Sequence, residues 1–194
     1  MSATTSTRGV RSDKVAGRVV IVDRKAYSRS VSEVFGTRPA AVKVGVFGAK
    51  GDEVHKSDKG SKAATITNVE VATIHEFGLG VPERSFLRAY VDGNESRIRL
   101  MFFVQMQRLI RDALEHARPI TDSDRTRVLS RVALKIVGEV QGRIKDGIAP
   151  PLAESTIRQK TVNGKRGTTP LIDTGQLRSS IGFAVSLDGK WGGK

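Results

Sequence analysis

The chain has 194 residues, no cysteine, and 33 Lys and Arg against 20 Asp and Glu, a formal charge of +13 with a pI near 10.5. The missing thiols exclude disulfides, thiolate zinc sites and cysteine nucleophiles. The charge attracts polyanions and acidic protein surfaces while leaving the fold open. Hydrophobic residues make up 38% and charged ones 27%, a low apolar share for a wholly compact domain. We therefore expect one domain, over residues 40–190, carrying a non-core arm.

Residues 1–39 are rich in Ser, Thr, Arg and Val and show poor periodicity apart from Val19-Val20-Ile21-Val22. They read as an extended basic N-terminal arm that orders, if at all, against a neighbour. The first residues carry no apolar core of a secretory signal. The most apolar run, Leu100 to Val104, is flanked by Arg99 and Arg108 and is far too short for a membrane span.

Val42, Val44 and Val46 alternate as in a strand with one buried face. Residues 49–63 combine glycines, lysines and acids with hardly any large apolar side chain, and predict a mobile loop. Thr67 or Asn68 can cap a short helix on which Val71, Ile74 and Phe77 fall at related positions, and Gly78 ends it. After Asp92-Gly-Asn94 an amphipathic helix runs to about His116, with Ile98, Phe102, Gln105, Leu109 and Leu114 set against Arg97, Arg99, Arg108 and Arg111.

Pro119 breaks that helix. Thr121-Asp-Ser-Asp124 supplies caps for another, which runs to about Lys145 with Val128, Val132, Ile136, Val140 and Ile144 as a four-residue stripe. Pro150-Pro151 stops it, residues 153–160 can add a turn or two, and residues 161–168 form a flexible basic loop. Asp173 is expected to cap one helical turn through Leu177, with Gly175 in the turn. Ile181, Phe183, Val185 and Leu187 alternate as a second strand able to pair with the first. The fold class is α+β: a small antiparallel sheet on two long amphipathic helices.

Candidate chemistry is thin. Asp173-Thr-Gly175 matches the triplet of aspartic proteases, but that enzyme needs two such loops on a β-rich scaffold, and two long helices dominate here. His55, His75 and His116 lack the paired spacing of a zinc helix, and His75-Glu76 lacks its second histidine. Gly48-Ala-Lys-Gly51 lacks the spacing of a phosphate loop. No acid–base pair or nucleophile elbow is set by spacing, so neither catalysis, cofactor nor metal is expected. Lys160, Lys165 and Arg166 form a basic cluster, either a solvated loop or a contact for DNA or an acidic partner. No zinc-finger, basic-zipper or aromatic RNA-binding pattern is present.

Two patches carry a resemblance. Ala72-Thr-Ile-His-Glu-Phe-Gly78 is followed by Val81-Pro-Glu-Arg-Ser-Phe-Leu-Arg88. Further on, Pro150-Pro-Leu-Ala-Glu-Ser-Thr-Ile-Arg-Gln-Lys160 is followed by Thr169-Pro-Leu-Ile-Asp-Thr-Gly-Gln-Leu-Arg-Ser-Ser-Ile181. In this order, between two strands and around two helices, they resemble the tail-completion or neck proteins of long-tailed phages, a family that merges with phage virion morphogenesis proteins. The arm before Val42 is longer than that family's pattern, and residues 49–63 are more charged.

The resemblance implies an α+β structural subunit of the virion, assembled in the bacterial host cytoplasm. It further implies a homo-oligomeric ring, expected to be a hexamer, at the head–tail junction. Its partners there would be the head-side connector or adaptor proteins, the tail terminator or tail-tube protein, and double-stranded DNA passing through without sequence recognition; no membrane is involved. A tail terminator ring and a non-specific DNA-binding assembly factor are the alternatives. On this reading His75, Glu76, Arg84, Phe86 and Arg88 are candidates for assembly contacts. Arg84 and Arg88 could form ion pairs between subunits, or salt bridges inside one.

Overall fold

The computed structural model describes residues 12–15, 18–21, 40–54, 66–162 and 168–191. Within the expected arm, β1 (Ser12–Val15) and β2 (Arg18–Ile21) pair as an antiparallel hairpin; the rest of the arm, and its ordering on a neighbour, lie outside the described residues. Then follow β3 (Ala41–Val46), α1 (Gly48–Asp52), α2 (Asn68–Phe77), α3 (Arg88–Gly93), α4 (Glu95–Glu115), α5 (Asp122–Asp146), α6 (Glu154–Val162), α7 (Gln176–Ser180) and β4 (Ile181–Ser186). The α+β class expected from the sequence is what the structure has.

The sheet is the pairing anticipated by the two apolar alternations. β3 and β4 run antiparallel with Val42 opposite Val185, Val44 opposite Phe183 and Val46 opposite Ile181. Because side chains alternate along a strand, this register puts all six on one face. That face meets α5, whose stripe of Val128, Val132, Ile136, Val140 and Ile144 is buried throughout, the last two at 0% exposure. Four of them, Val132, Ile136, Val140 and Ile144 at i, i+4 spacing, make one wall of a core that Phe86, Tyr90, Leu177 and Ile181 complete. A second apolar cluster joins α4 to α5 through Met106, Leu109, Ile110, Val128 and Leu129. Leu114, expected on the inner face of α4, is 38% exposed; Met106, Ile110 and Ala113 are buried there with Leu109.

Two helix starts are fixed by short polar motifs. Thr121 and Asp124 form a capping box at the start of α5, and Thr67 and Glu70 form one at the start of α2. In each, two backbone N–H groups left over by the first turn find acceptors. Arg118, in the link between α4 and α5, donates to Asp124 at 2.8 Å and to Asp112, so one guanidinium ties the end of α4 to the start of α5. Gly78 ends α2 at φ 67, the left-handed conformation expected there.

Two loop expectations are corrected. Residues 49–52, at the start of the expected mobile loop, belong to α1. Its Gly51 is buried, with a Cβ there only 3.4 Å from the Val46 carbonyl carbon. Its Lys50 carbonyl accepts from Asn68 Nδ2 at 2.8 Å. Close backbone approach and one amide, rather than apolar burial, order this turn. Thr161 and Val162, placed in the basic loop, end α6. Residues 55–65 and 163–167 lie outside the described residues, and with them His55, Lys165 and Arg166.

The capping box gives stability an acid limb. Backbone N–H donation from Thr121 foremost, then the Arg118 hydrogen bond, holds the Asp124 carboxyl down at about 2, below its usual 3.8. A depressed carboxylate stabilises the fold above its unfolded pKa and loses that contribution as pH falls through the folded value. Urea midpoints should therefore be level near neutral pH and drop between about pH 4 and pH 2. Asp124→Asn should lower the neutral midpoint and flatten part of that drop; an unchanged acid limb would count against the box as its source.

Candidate functional site

The first motif folds into a knot around one carboxylate. Glu76 lies in the last turn of α2 and is 6% exposed. Its Oε1 accepts from Ser85 Oγ at 2.7 Å and from Arg88 N–H at 2.8 Å; its Oε2 accepts from the N–H groups of Phe86 at 3.0 Å and Leu87 at 3.1 Å. The three N–H groups lead into α3, which lacks a side-chain cap of its own at Leu87. Glu76 thus caps α3 from another helix, where a carboxylate also complements the positive helix end. Arg88 closes the knot, with Nε 3.4 Å from Glu76 Oε1, an amino group donating to the Glu76 carbonyl and to Glu83 Oε1, and its guanidinium 4.6 Å from the centre of the Phe77 ring.

The same turn anchors the second motif. Arg84 is 5% exposed, and its guanidinium donates to the carbonyls of Pro150 at 2.9 Å and Pro151 at 3.2 Å. Its own N–H donates to the His75 carbonyl at 2.8 Å. Phe86 is 2% exposed in the main core. These positions correct the expected assembly contacts: Glu76, Arg84 and Phe86 are buried inside one subunit. Arg84 takes backbone carbonyls rather than a carboxylate, and Arg88 pairs with acids of its own chain.

Where the motifs meet, a cavity of about 170 Å³ is lined by His75, Leu152, Lys160, Ile172 and residues 173–177. Lys160 Nζ donates to the Ile172 carbonyl at 2.7 Å, closing the 160–172 excursion. Of the three expected DNA contacts it is the one described, and its ammonium is committed inside the subunit. The Asp173 cap is also corrected. α7 begins after Gly175, which occupies the N-cap at φ 77, and no side chain caps it in the usual way. Thr174 Oγ1 instead accepts from Gln176 N–H at 3.3 Å. The left-handed Gly175 moves the helix start two residues beyond Asp173 and leaves Asp173 on the exposed rim.

Sequence reasoning missed a third cluster. A shallow groove of about 970 Å³ between α3, α4 and the C-terminal half of α5 contains Tyr90, Arg97, Glu139, Arg143 and Asp146. Arg97 grips Glu139 with two bonds, at 2.6 and 2.8 Å, and the Tyr90 hydroxyl donates to Glu139 Oε2. Burial first, and the Glu139 hydrogen bond second, push the Tyr90 phenol up to about 12. A phenol so reluctant to ionise, beside a carboxylate held on both oxygens, suits joining α3, α4 and α5 better than proton transfer. The one sequence hint was Arg97 on the polar side of α4.

Among the described residues no group of three or more His, Cys, Asp or Glu could hold a metal ion, and no helix is long and apolar enough to cross a membrane. The chain matches no family model, no curated protein and no solved structure.

Glu76→Gln leaves one oxygen for four donors and turns an amide NH2 toward N–H groups. It should cost about 3 kcal/mol, the scale of buried charge-assisted bonds, and a chemical melt within about 0.5 kcal/mol of wild type would remove Glu76 from its central place. For the groove, spectrophotometric titration of Tyr90 in a Tyr27→Phe background should give a midpoint of about 12. Glu139→Gln should bring it part of the way back toward 10.0, since burial remains; an unmoved midpoint would show that the bond to Glu139 contributes nothing.

Proposed function

We propose that this chain is a structural subunit of a tailed-phage particle, a tail-completion or neck protein that forms a ring of like subunits, six by expectation, at the head–tail junction. One observation carries the reading. The residues on which the phage resemblance rests, Glu76, Arg84, Phe86 and Arg88 in one patch and residues 150–151, 160 and 172–177 in the other, form one connected structural unit.

Such residues determine shape. A chain whose most distinctive side chains brace turns acts through the surfaces those turns present, as a ring subunit between a head connector and a tail terminator or tail tube must. The groove network is braced in the same manner, and we assign no catalytic role to it. Membership of the virion, after assembly in the host cytoplasm, follows from this placement, as does double-stranded DNA within the ring. A terminator ring one step further along the tail would need the same architecture.

Electron microscopy of assembled particles, with this chain located by fitting or labelling and the mass of the free protein measured, tests the placement. Density for the 40–191 fold repeated around the channel between head and tail is the expected result. Mature particles that lack the chain would overturn it.

A further inference from the structure

The outer line of α5 is a row of cations without acids. Positions 127, 131, 135, 138, 142 and 145 recur at four- or three-residue spacing and so share one side of the helix, away from the buried stripe 128–144. They are Arg127, Arg131, Lys135, Gly138, Gly142 and Lys145, and all but Gly142 are exposed. Beyond the first turn of α5 its carboxylates, Glu139 and Asp146, lie in the groove instead.

Some exposed cations of the subunit are matched by acids, while Arg108 and Arg111 on α4 are exposed and, like most of the row, have no ion-pair partner among the described residues. Arg97 is matched by Glu139, Arg99 by Glu95 and Arg158 by Glu154. Arg127 has only a 3.7 Å approach to Asp124, a carboxylate already held by Arg118 and Thr121. Arg131, Lys135 and Lys145 have no ion-pair partner among the described residues. Like charges at i, i+4 oppose helix formation, so the row is electrostatically incomplete without an outside anion.

We propose that this face of α5 is the surface that holds the phosphate backbone of double-stranded DNA, without reading its sequence. The inference rests on the junction reading only for why DNA is present, and replaces Lys160 as a contact. Three cations about 6 Å apart and a fourth about 15 Å further on, over a span of about 27 Å, face a polymer with a charge every 1.7 Å or so of axis, so no register is required. The nearest amide, Gln141, donates to the Arg178 carbonyl, so the row offers cations for phosphates and no free amide for adenine edges. Gly138 keeps the helix backbone bare between Lys135 and Lys145; a Cβ there would meet nothing in the subunit, so internal packing does not require glycine. An acidic protein partner fits less well. Lysine is depleted and aromatic residues are enriched in protein interfaces, whereas this row has two lysines and, beside it, Leu134 as its one large exposed apolar neighbour.

The test is the salt dependence of duplex DNA binding by the full chain, followed by fluorescence anisotropy on two duplexes of unrelated sequence. Each phosphate contact contributes about 0.9 to the slope of log K against log salt. Arg131→Gln/Lys135→Gln/Lys145→Gln should therefore lower the slope by about 2.7 on both duplexes. The triple change relieves repulsion, and circular dichroism checks that it folds. Arg99→Gln/Arg158→Gln, which removes exposed but paired cations, should leave the slope near wild type.

An unchanged slope in the triple variant would overturn the proposal, as would wild-type protein that binds polyglutamate but not DNA, or binding confined to one duplex. The two readings fail separately. A chain seen at the junction whose DNA affinity ignores the row defeats this inference alone; row-dependent DNA binding by a chain missing from particles defeats the junction reading alone.

Discussion

A single buried carboxylate organises the structure. Without Glu76, the N–H groups of Phe86, Leu87 and Arg88 would lose their acceptor at a buried or half-buried site, and a buried orphan costs about 1–3 kcal/mol. With it, α2 and α3 are joined at a fixed angle, and that angle delivers Phe86 and Tyr90 to the face of α5. The core therefore depends on a polar contact at its edge: apolar burial supplies the driving force, and Glu76 selects the arrangement in which burial occurs.

From this point order spreads through backbone carbonyls. Arg84 reaches from the same turn to Pro150 and Pro151, which set the entry to α6, and Lys160 at the far end of α6 returns to Ile172. Each is a cation on main-chain oxygens, the partner that loops have in surplus. The two motifs, more than sixty residues apart, consequently behave as one unit around the 170 Å³ cavity.

The long-period features were legible in the sequence. The stripe from Val128 to Ile144 and the pairing of Val42–Val46 with Ile181–Val185 follow from apolar spacing, because spacing is what a flat buried face imposes. The knot was legible only as a pattern. On α2 the apolar positions suggested an inner face at Val71, Ile74 and Phe77, yet the buried positions are Asn68, Ala72 and Glu76, and Phe77 lies outside at 53% exposure under Arg88. A hydrophobicity argument places glutamate outward because it counts side chains, while the partners of Glu76 are main-chain groups that every residue carries. Asp173 was misread for a related reason. Caps are assigned by side-chain type, but Gly175 shifts the helix start by its backbone conformation.

Six acids of this chain are turned to internal tasks. Glu70 and Asp124 cap helices, Glu76 caps α3, Glu139 joins α3, α4 and α5, and Glu83 and Asp112 receive arginines from adjacent turns. Part of the surplus of +13 is displayed on the outer line of α5, at Arg127, Arg131, Lys135 and Lys145. Subunits so charged repel one another at close range, where screening over about 8 Å in physiological salt is incomplete. In the proposed ring, inward cations would resist closure until a polyanion occupies the channel. The internal use of carboxylates and the outward display of cations are thus two sides of one constraint: an acid that braces a turn cannot also neutralise a face.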